Sequence, residues 1–200
     1  MRDDKSEIKT AKRSTDVTGG KKAGLKTRDL AFIAVCAALI TVCSWISVPF
    51  AVPFTLQTFA IFFTLYFLGG RRGIQSVIIY ILLGAVGVPV FSGFKGGMGA
   101  LFGTTGGYIM GFVFTCLVYW AFEMFVGKKL WIQIASMVIG LIVCYAFGTA
   151  WFMIAYAKNT GPISLMTALG WCVFPFIVPD LVKIALAVFL GKALQKYRLA

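Results

Sequence analysis

Asp180 and Lys183 stand three residues apart in a stretch that is otherwise almost wholly apolar. On a helix that spacing puts both side chains on one face, and the preceding Pro179 suits the first helical position. Ionisable groups in or near a membrane span are costly, so they are usually paired, functional or both. A carboxylate there can accept N–H bonds from a ligand, while an ammonium can donate to a carbonyl or a carboxylate. The competing reading is a structural pair at a helix start, where the dipole stabilises the carboxylate.

Two further groups of residues have the same character. Gln57, within Val52-Pro53-Phe54-Thr55-Leu56-Gln57-Thr58, carries a donor and an acceptor on one amide, which suits a neutral polar ring. A helix-start amide bonded to its own backbone is the alternative. Residues 91 to 107 hold seven glycines in 17, with Phe91, Lys95, Thr104, Thr105 and Tyr108 in or beside them. That many glycines predict a loop, because they would cost a helix several kcal/mol. The loop is either a flexible connector or a lid whose backbone approaches a ligand closely. It is no phosphate-binding loop, since no GxxxxGK[ST] follows a strand. Glu123, near Lys128, reads as a solvated or salt-bridged residue that reaches the interface.

Other chemistries lose their reagents. There is no histidine, and the five cysteines at 36, 43, 116, 144 and 172 lie in apolar stretches without CxxC pairs, which predicts buried structural thiols. Zinc hydrolysis, haem ligation and Ser-His-Asp catalysis are therefore disfavoured. No catalytic residue, metal or cofactor is expected.

The elements that must position these groups follow from composition. Of 200 residues, 60% are hydrophobic and 13% charged, against about 25% charged in globular domains, so lipid must replace water around most of the chain. Residues 1 to 29 are polar and mixed in charge, with no apolar core or cleavage site of a signal peptide, and are expected to be a disordered cytoplasmic tail that stays on the chain. Residues 30 to 198 are expected to form one membrane domain. The 41 uncharged residues from Leu30 to Gly70 would reach about 60 Å as helix, twice the hydrocarbon core of about 30 Å. Two spans are hidden there, broken at Pro49 and Pro53.

The predicted spans are 30–48, 55–69, 74–89, 107–126, 130–157 and 179–196, with a turn at Gly69–Gly73 and a less regular apolar section before Pro175. After residue 29 the basic residues cluster at 71–72, 128–129 and the C-terminus, which in a six-span protein share one side with the tail, leaving only Lys95 and Lys158 opposite. The positive-inside rule then predicts an all-α protein of six transmembrane helices with both termini cytoplasmic. It also accounts for the net charge of +12 better than nucleic acid does, for no aromatic-interleaved basic patch or helix-turn-helix pattern is present. Long apolar runs without two-residue alternation exclude a transmembrane barrel.

On this topology the Asp–Lys pair, the amide and the glycine-rich loop converge on the outer side, as a substrate site requires. The cytoplasmic turns are too short for a nucleotide-hydrolysing domain, so ATP-powered transport would need another chain. Ala34 and Ala38 form a small-xxx-small pattern that permits close helix approach in lipid, either to a partner or within this chain.

Four segments in order resemble the BioY family of biotin-specific S components from energy-coupling-factor (ECF) transporters. They are Val52-Pro53-Phe54-Thr55-Leu56-Gln57-Thr58; Tyr80-Ile81-Leu82-Leu83-Gly84-Ala85-Val86-Gly87-Val88-Pro89-Val90-Phe91; Gly103-Thr104-Thr105-Gly106-Gly107-Tyr108; and Pro175-Phe176-Ile177-Val178-Pro179-Asp180-Leu181-Val182-Lys183. The resemblance covers residues 30 to 198. It implies capture of biotin from outside by a protein that is no enzyme, followed by rotation in the membrane on a transmembrane coupling protein with two cytoplasmic ATPases. It further implies that Asp180 accepts from the ureido N–H groups and that Lys183 bonds the carbonyl or balances Asp180. Gln57 and Thr55 would add polar contacts, and Tyr80, Phe91 and Tyr108 would flank the apolar part. Ala34 and Ala38 match the family's AxxxA docking motif. Two departures stand out: Thr104 where the family commonly has Pro in GPTGG, and Pro179 where it commonly has Gly. An S component for another vitamin, an ion channel and an intramembrane enzyme are the rival readings.

Overall fold

The computed structural model describes residues 27–49 and 51–199, with side chains described to residue 195 except at 159. The predicted tail therefore falls almost entirely outside the described residues, as do the side chains of Lys196 and Arg198.

Helix α1 (Thr27–Trp45) leads into a two-stranded hairpin, β1 (Ser47–Val48) and β2 (Phe54–Thr55). The strands are antiparallel, with Ser47 opposite Thr55 and Val48 opposite Phe54. Helices α2 (Gln57–Leu68) and α3 (Gly70–Ala85) follow, then a 3-10 turn (Ser92–Phe94) and the short α4 (Met98–Phe102). The chain continues through α5 (Gly106–Phe125), α6 (Leu130–Asn159), α7 (Leu165–Cys172) and α8 (Phe174–Leu199). Among the described residues, four stretches can cross a membrane by length and composition: Thr27–Trp45, Gly106–Phe125, Leu130–Lys158 and Leu165–Gln195.

The 12-residue α2 is too short to be counted with them, yet it is the centre of the fold. It packs against α1, α3 and, most extensively, α8. Ten of its 12 residues are buried, as expected for a helix that is apolar all round. At about 18 Å it falls well short of the hydrocarbon core, and the depth it leaves open is taken up by the hairpin and a cavity.

Several expected boundaries move, each for a local reason. Arg71 and Arg72 lie in the first turn of α3 and not in a loop, because Gly69 alone, at φ 84°, joins α2 to α3. The Gly70 N–H that opens α3 donates to Glu123 Oε2 at 2.6 Å, so a carboxylate from α5 caps α3. Glu123 is also salt-bridged to Lys128 at 3.1 Å. Segment 91–107 is not all loop: Gly93 lies in the 3-10 turn, Gly99 in α4 and Gly106 and Gly107 at the start of α5, while Gly97 and Gly103 flank α4. Pro179 is not the first residue of α8 but lies within it, since the break comes earlier, at Val173 between α7 and α8. All five cysteines are free and buried, as predicted.

The most extensive helix–helix packing is that of α5 with α6. Gly107, Gly111 and Thr115 on α5 face Gly140, Cys144 and Gly148 on α6, in two ladders of three small residues at four-residue spacing. A Cβ on Gly148 would lie 2.3 Å from the Tyr108 ring, and one on Gly107 would lie 2.2 Å from Trp151 Cβ. Gly148→Val is therefore expected to force the pair apart, at an overpacking cost of about 1–3 kcal/mol. A thermal unfolding midpoint in detergent equal to that of the parent would refute this account of the seam.

Candidate functional site

Gln57 and Leu68 mark the two ends of α2. The Leu68 end adjoins Gly69, Glu123 and Lys128, while the Gln57 end opens into a cavity of about 530 Å³, within the 300–1,000 Å³ usual for small-molecule sites. The hairpin, the glycine-rich segment, α5, α6 and α8 supply its walls.

Asp180 and Lys183 are the polar centre of that cavity. They lie one turn apart on α8, are 2% and 5% exposed, and form a 2.8 Å ion pair. A buried pair is tolerated only when its remaining bonding capacity is met, and here neighbouring elements meet it. Lys183 Nζ donates to Asp180 Oδ1, to the Thr55 carbonyl at 2.7 Å and to Thr58 Oγ1 at 3.1 Å. Its three N–H donors are thereby matched, and it sits 4.1 Å from the centre of the Phe54 ring. Asp180 Oδ1 also accepts from Thr58 Oγ1 at 2.9 Å, and Oδ2 accepts from the Tyr145 hydroxyl at 2.6 Å. Three donors on a carboxylate with about four lone-pair positions leave room for a donor from a ligand.

Most of the residues singled out from sequence meet here. Asp180, Lys183, Gln57, Thr55, Phe91 and Tyr108 line the cavity. Tyr80 does not: it is fully buried behind the wall, where its hydroxyl accepts from Gln57 Nε2 at 2.9 Å and its ring meets Phe91 edge-on at 5.5 Å. It sets the rotamers of two cavity residues and is not itself a wall. Phe91 can lie flat there because position 84 is glycine; a Cβ would come 2.0 Å from the ring. Tyr108 fills the space over Gly148 and bonds Thr149 Oγ1 at 2.9 Å.

The glycine-rich segment is tied down on both flanks. Trp45 Nε1 of α1 donates to the Pro89 carbonyl at 2.8 Å, and Trp151 Nε1 of α6 donates to the Gly103 carbonyl at 3.0 Å. Phe91 and Lys95, between these ties, and Thr104 and Thr105, just past the second, join the cavity wall. Lys95 is exposed and, among the described residues, makes no ion pair. Ala34 and Ala38 lie apart from the cavity, on an exposed face of α1 beside Val35 and Val42, while Ala37 faces the core.

Sequence reasoning singled out neither Thr58 nor Tyr145 for Asp180. Thr58 belonged to a quoted motif, one residue from Gln57. Tyr145 gave no local signal, being one aromatic residue in a long apolar helix.

Comparison with known proteins finds relatives over most of the chain. A model of the BioY family matches residues 13–199. The biotin transporter BioY of Thermotoga maritima is 38% identical over 170 residues, covering 84% of this chain and 96% of that one. The probable biotin transporter BioY of Pyrococcus horikoshii is 37% identical over 172 residues, covering 86% of this chain and 98% of its own. The crystal structure of an S-component for biotin from an ECF-type ABC transporter matches with a TM-score of 0.73 at 25% identity, over 84% of this chain and 91% of that one.

Proposed function

The chain belongs to the BioY family, and from that membership and the cavity we propose that it is a biotin-binding S component of an ECF-type importer. It takes biotin from outside a cell membrane and delivers it to the cytoplasm with an ATP-driven module. It is a transporter component and not an enzyme. The observation that carries this reading is the buried Asp180 carboxylate on the cavity wall with accepting capacity unspent.

Biotin has a ureido ring with two N–H donors and a carbonyl, an apolar thiophane ring and a tail ending in a carboxylate. One ureido N–H goes to the open position on Asp180, and the Gln57 amide serves the same ring, with the Thr55–Thr58 turn behind it. Lys183 acts as the counter-charge of Asp180, since its donors are already matched. Phe91 and Tyr108 hold the thiophane ring, with Tyr80 buttressing Phe91. The tail carboxylate points outward to Lys95. Biotin is the substrate, and no cofactor or metal is invoked.

Purified protein is expected to bind labelled biotin with a dissociation constant below about 1 µM; affinity weaker than about 100 µM would point to another vitamin. Lys95→Gln should weaken biotin by up to about fivefold, as for an exposed ion pair of under about 1 kcal/mol, yet leave biotin amide, whose tail is neutral, unaffected. Equal losses for both ligands would remove Lys95 from the tail.

In the same reading six helices, α1, α2, α3, α5, α6 and α8, form the transmembrane bundle with both termini cytoplasmic. The Glu123 contact with Gly70 supports it by bringing Arg71, Arg72, Lys128 and Lys129 to one end, as the positive-inside rule requires. The exposed Ala34–Ala38 face docks on the transmembrane coupling protein, which carries two ATPases. Ala34→Trp is expected to abolish co-purification with that protein while biotin affinity stays at the parent value. Loss of both would mean that these alanines serve internal packing.

A further inference from the structure

A second cavity, of about 560 Å³, opens between α6, α7 and α8. Ile142, Ala146 and Ala150 of α6, Leu169 of α7, and Ile177 and Leu181 of α8 are among its walls. The only side-chain polar atoms there are the hydroxyls of Tyr145 and Thr149, and both are already bonded, to Asp180 and Tyr108. Water needs two to four polar partners to be held, and this groove has none to spare. It is open at the side: Ile142, Ile177 and Leu181 are 59%, 40% and 46% exposed.

The groove runs along α6 from Val138 to Met153, in the middle of a helix that extends from Leu130 to Asn159. That is about 22 Å of helix, against about 15 Å for one leaflet's half of the hydrocarbon core. The groove is thus long enough for an acyl chain that reaches through one leaflet, and its lining is hydrocarbon. Leu141 and Tyr145 line both this groove and the ligand cavity, so the Tyr145 side chain is the partition between them.

We infer that a lipid acyl chain from the surrounding bilayer occupies the groove between α6, α7 and α8 and packs against Tyr145, forming an outer wall of the ligand site. The chain restricts Tyr145 from swinging into the groove and so keeps its hydroxyl on Asp180 Oδ2. The lipid site stands on the groove alone; its effect on biotin rests on the reading of Asp180 given above.

The test uses the whole chain in phosphatidylcholine liposomes containing a phosphatidylcholine with a mid-chain diazirine, photolysed and mapped by peptide mass spectrometry. Adducts are expected on Ala146, Ala150 and Leu169, with Phe189, which is 70% exposed outside the groove, as the reference for ordinary lipid contact. Ala150→Phe fills the groove and should abolish the adducts on Ala146 and Leu169 while leaving that on Phe189. Leu169→Trp fills it from α7 and should likewise abolish the Ala146 adduct, should Ala150→Phe prove unstable. A groove without adducts while Phe189 is labelled, as closure by α7 or by a second copy would produce, overturns the site. Undiminished labelling in the filled variants does the same. For the coupling, parent protein stripped of lipid into a rigid steroid detergent should bind biotin more weakly than in liposomes, with Ala150→Phe insensitive to the change. Equal parent affinity in both media overturns the coupling, and absence of biotin binding in any medium condemns the assigned substrate while the labelling result stands.

Discussion

Asp180→Asn is expected to weaken biotin binding by about 1.5–3 kcal/mol, the worth of a hydrogen bond to a charged group, or roughly 10- to 150-fold. The substitution keeps the size of the side chain, so the cavity survives and the loss reports on charge and bonding. All the groups now facing the carboxylate are donors: Lys183 Nζ, Thr58 Oγ1 and the Tyr145 hydroxyl. An amide has one oxygen to offer where the carboxylate had two, and its NH₂ must either face the Lys183 ammonium or turn a neighbouring hydroxyl from donor to acceptor. The ureido N–H then loses its charged acceptor. Lys183 keeps the Thr55 carbonyl, the Thr58 hydroxyl and the Phe54 ring face, so the variant should fold well enough for equilibrium binding to be measured on monodisperse protein. An affinity equal to the parent's would make Asp180 a structural residue and take the ureido ring elsewhere in the cavity.

Asp180 and Lys183 were legible in the sequence because a charge in an apolar run contradicts its surroundings and needs a reason. Thr58 and Tyr145 were not, because a hydroxyl in a membrane helix is ordinary until another helix brings a carboxylate to it. That approach, of α2 and α6 to α8, is a tertiary fact. Tyr80 was placed in the right neighbourhood and one layer too far forward, since a sequence motif does not tell a wall from the residue behind it. Glycines misled in a consistent way. In 91–107 they suggested a simple loop, although they lie in and beside short helices that Trp45 and Trp151 pin down. At 107, 111, 140 and 148 they are the surface along which α5 and α6 touch, a role visible only once both helices are in place. Pro179 was given the usual place of a proline at a helix start, but the chain breaks at Val173 and continues as helix through it. The limits of α2, α5 and α6 followed from the apolar run lengths, whereas α1 and α3 begin and end three or four residues before the expected spans; the hairpin before α2 went unseen because two-residue strands have no periodicity to detect.

The second large effect is on folding. Lys183→Met would leave the Asp180 carboxylate, 2% exposed, without its counter-charge in the low-dielectric middle of a helix bundle, and would free the Thr55 carbonyl and one acceptor position on Thr58. Removing one partner of a buried pair costs about 3–5 kcal/mol, so Lys183→Met should unfold at markedly lower temperature or denaturant than the parent. The double variant Asp180→Asn with Lys183→Met carries no buried charge and is expected to recover most of that loss, because the penalty belongs to the stranded carboxylate and not to the missing ammonium. Binding should not return with stability, since the double variant still lacks the carboxylate that takes a ureido N–H. This split separates the two residues' roles: a counter-ion for Lys183, a ligand acceptor for Asp180. A Lys183→Met protein as stable as the parent, but unable to bind biotin, would reverse the assignment and make Lys183 the direct ligand contact.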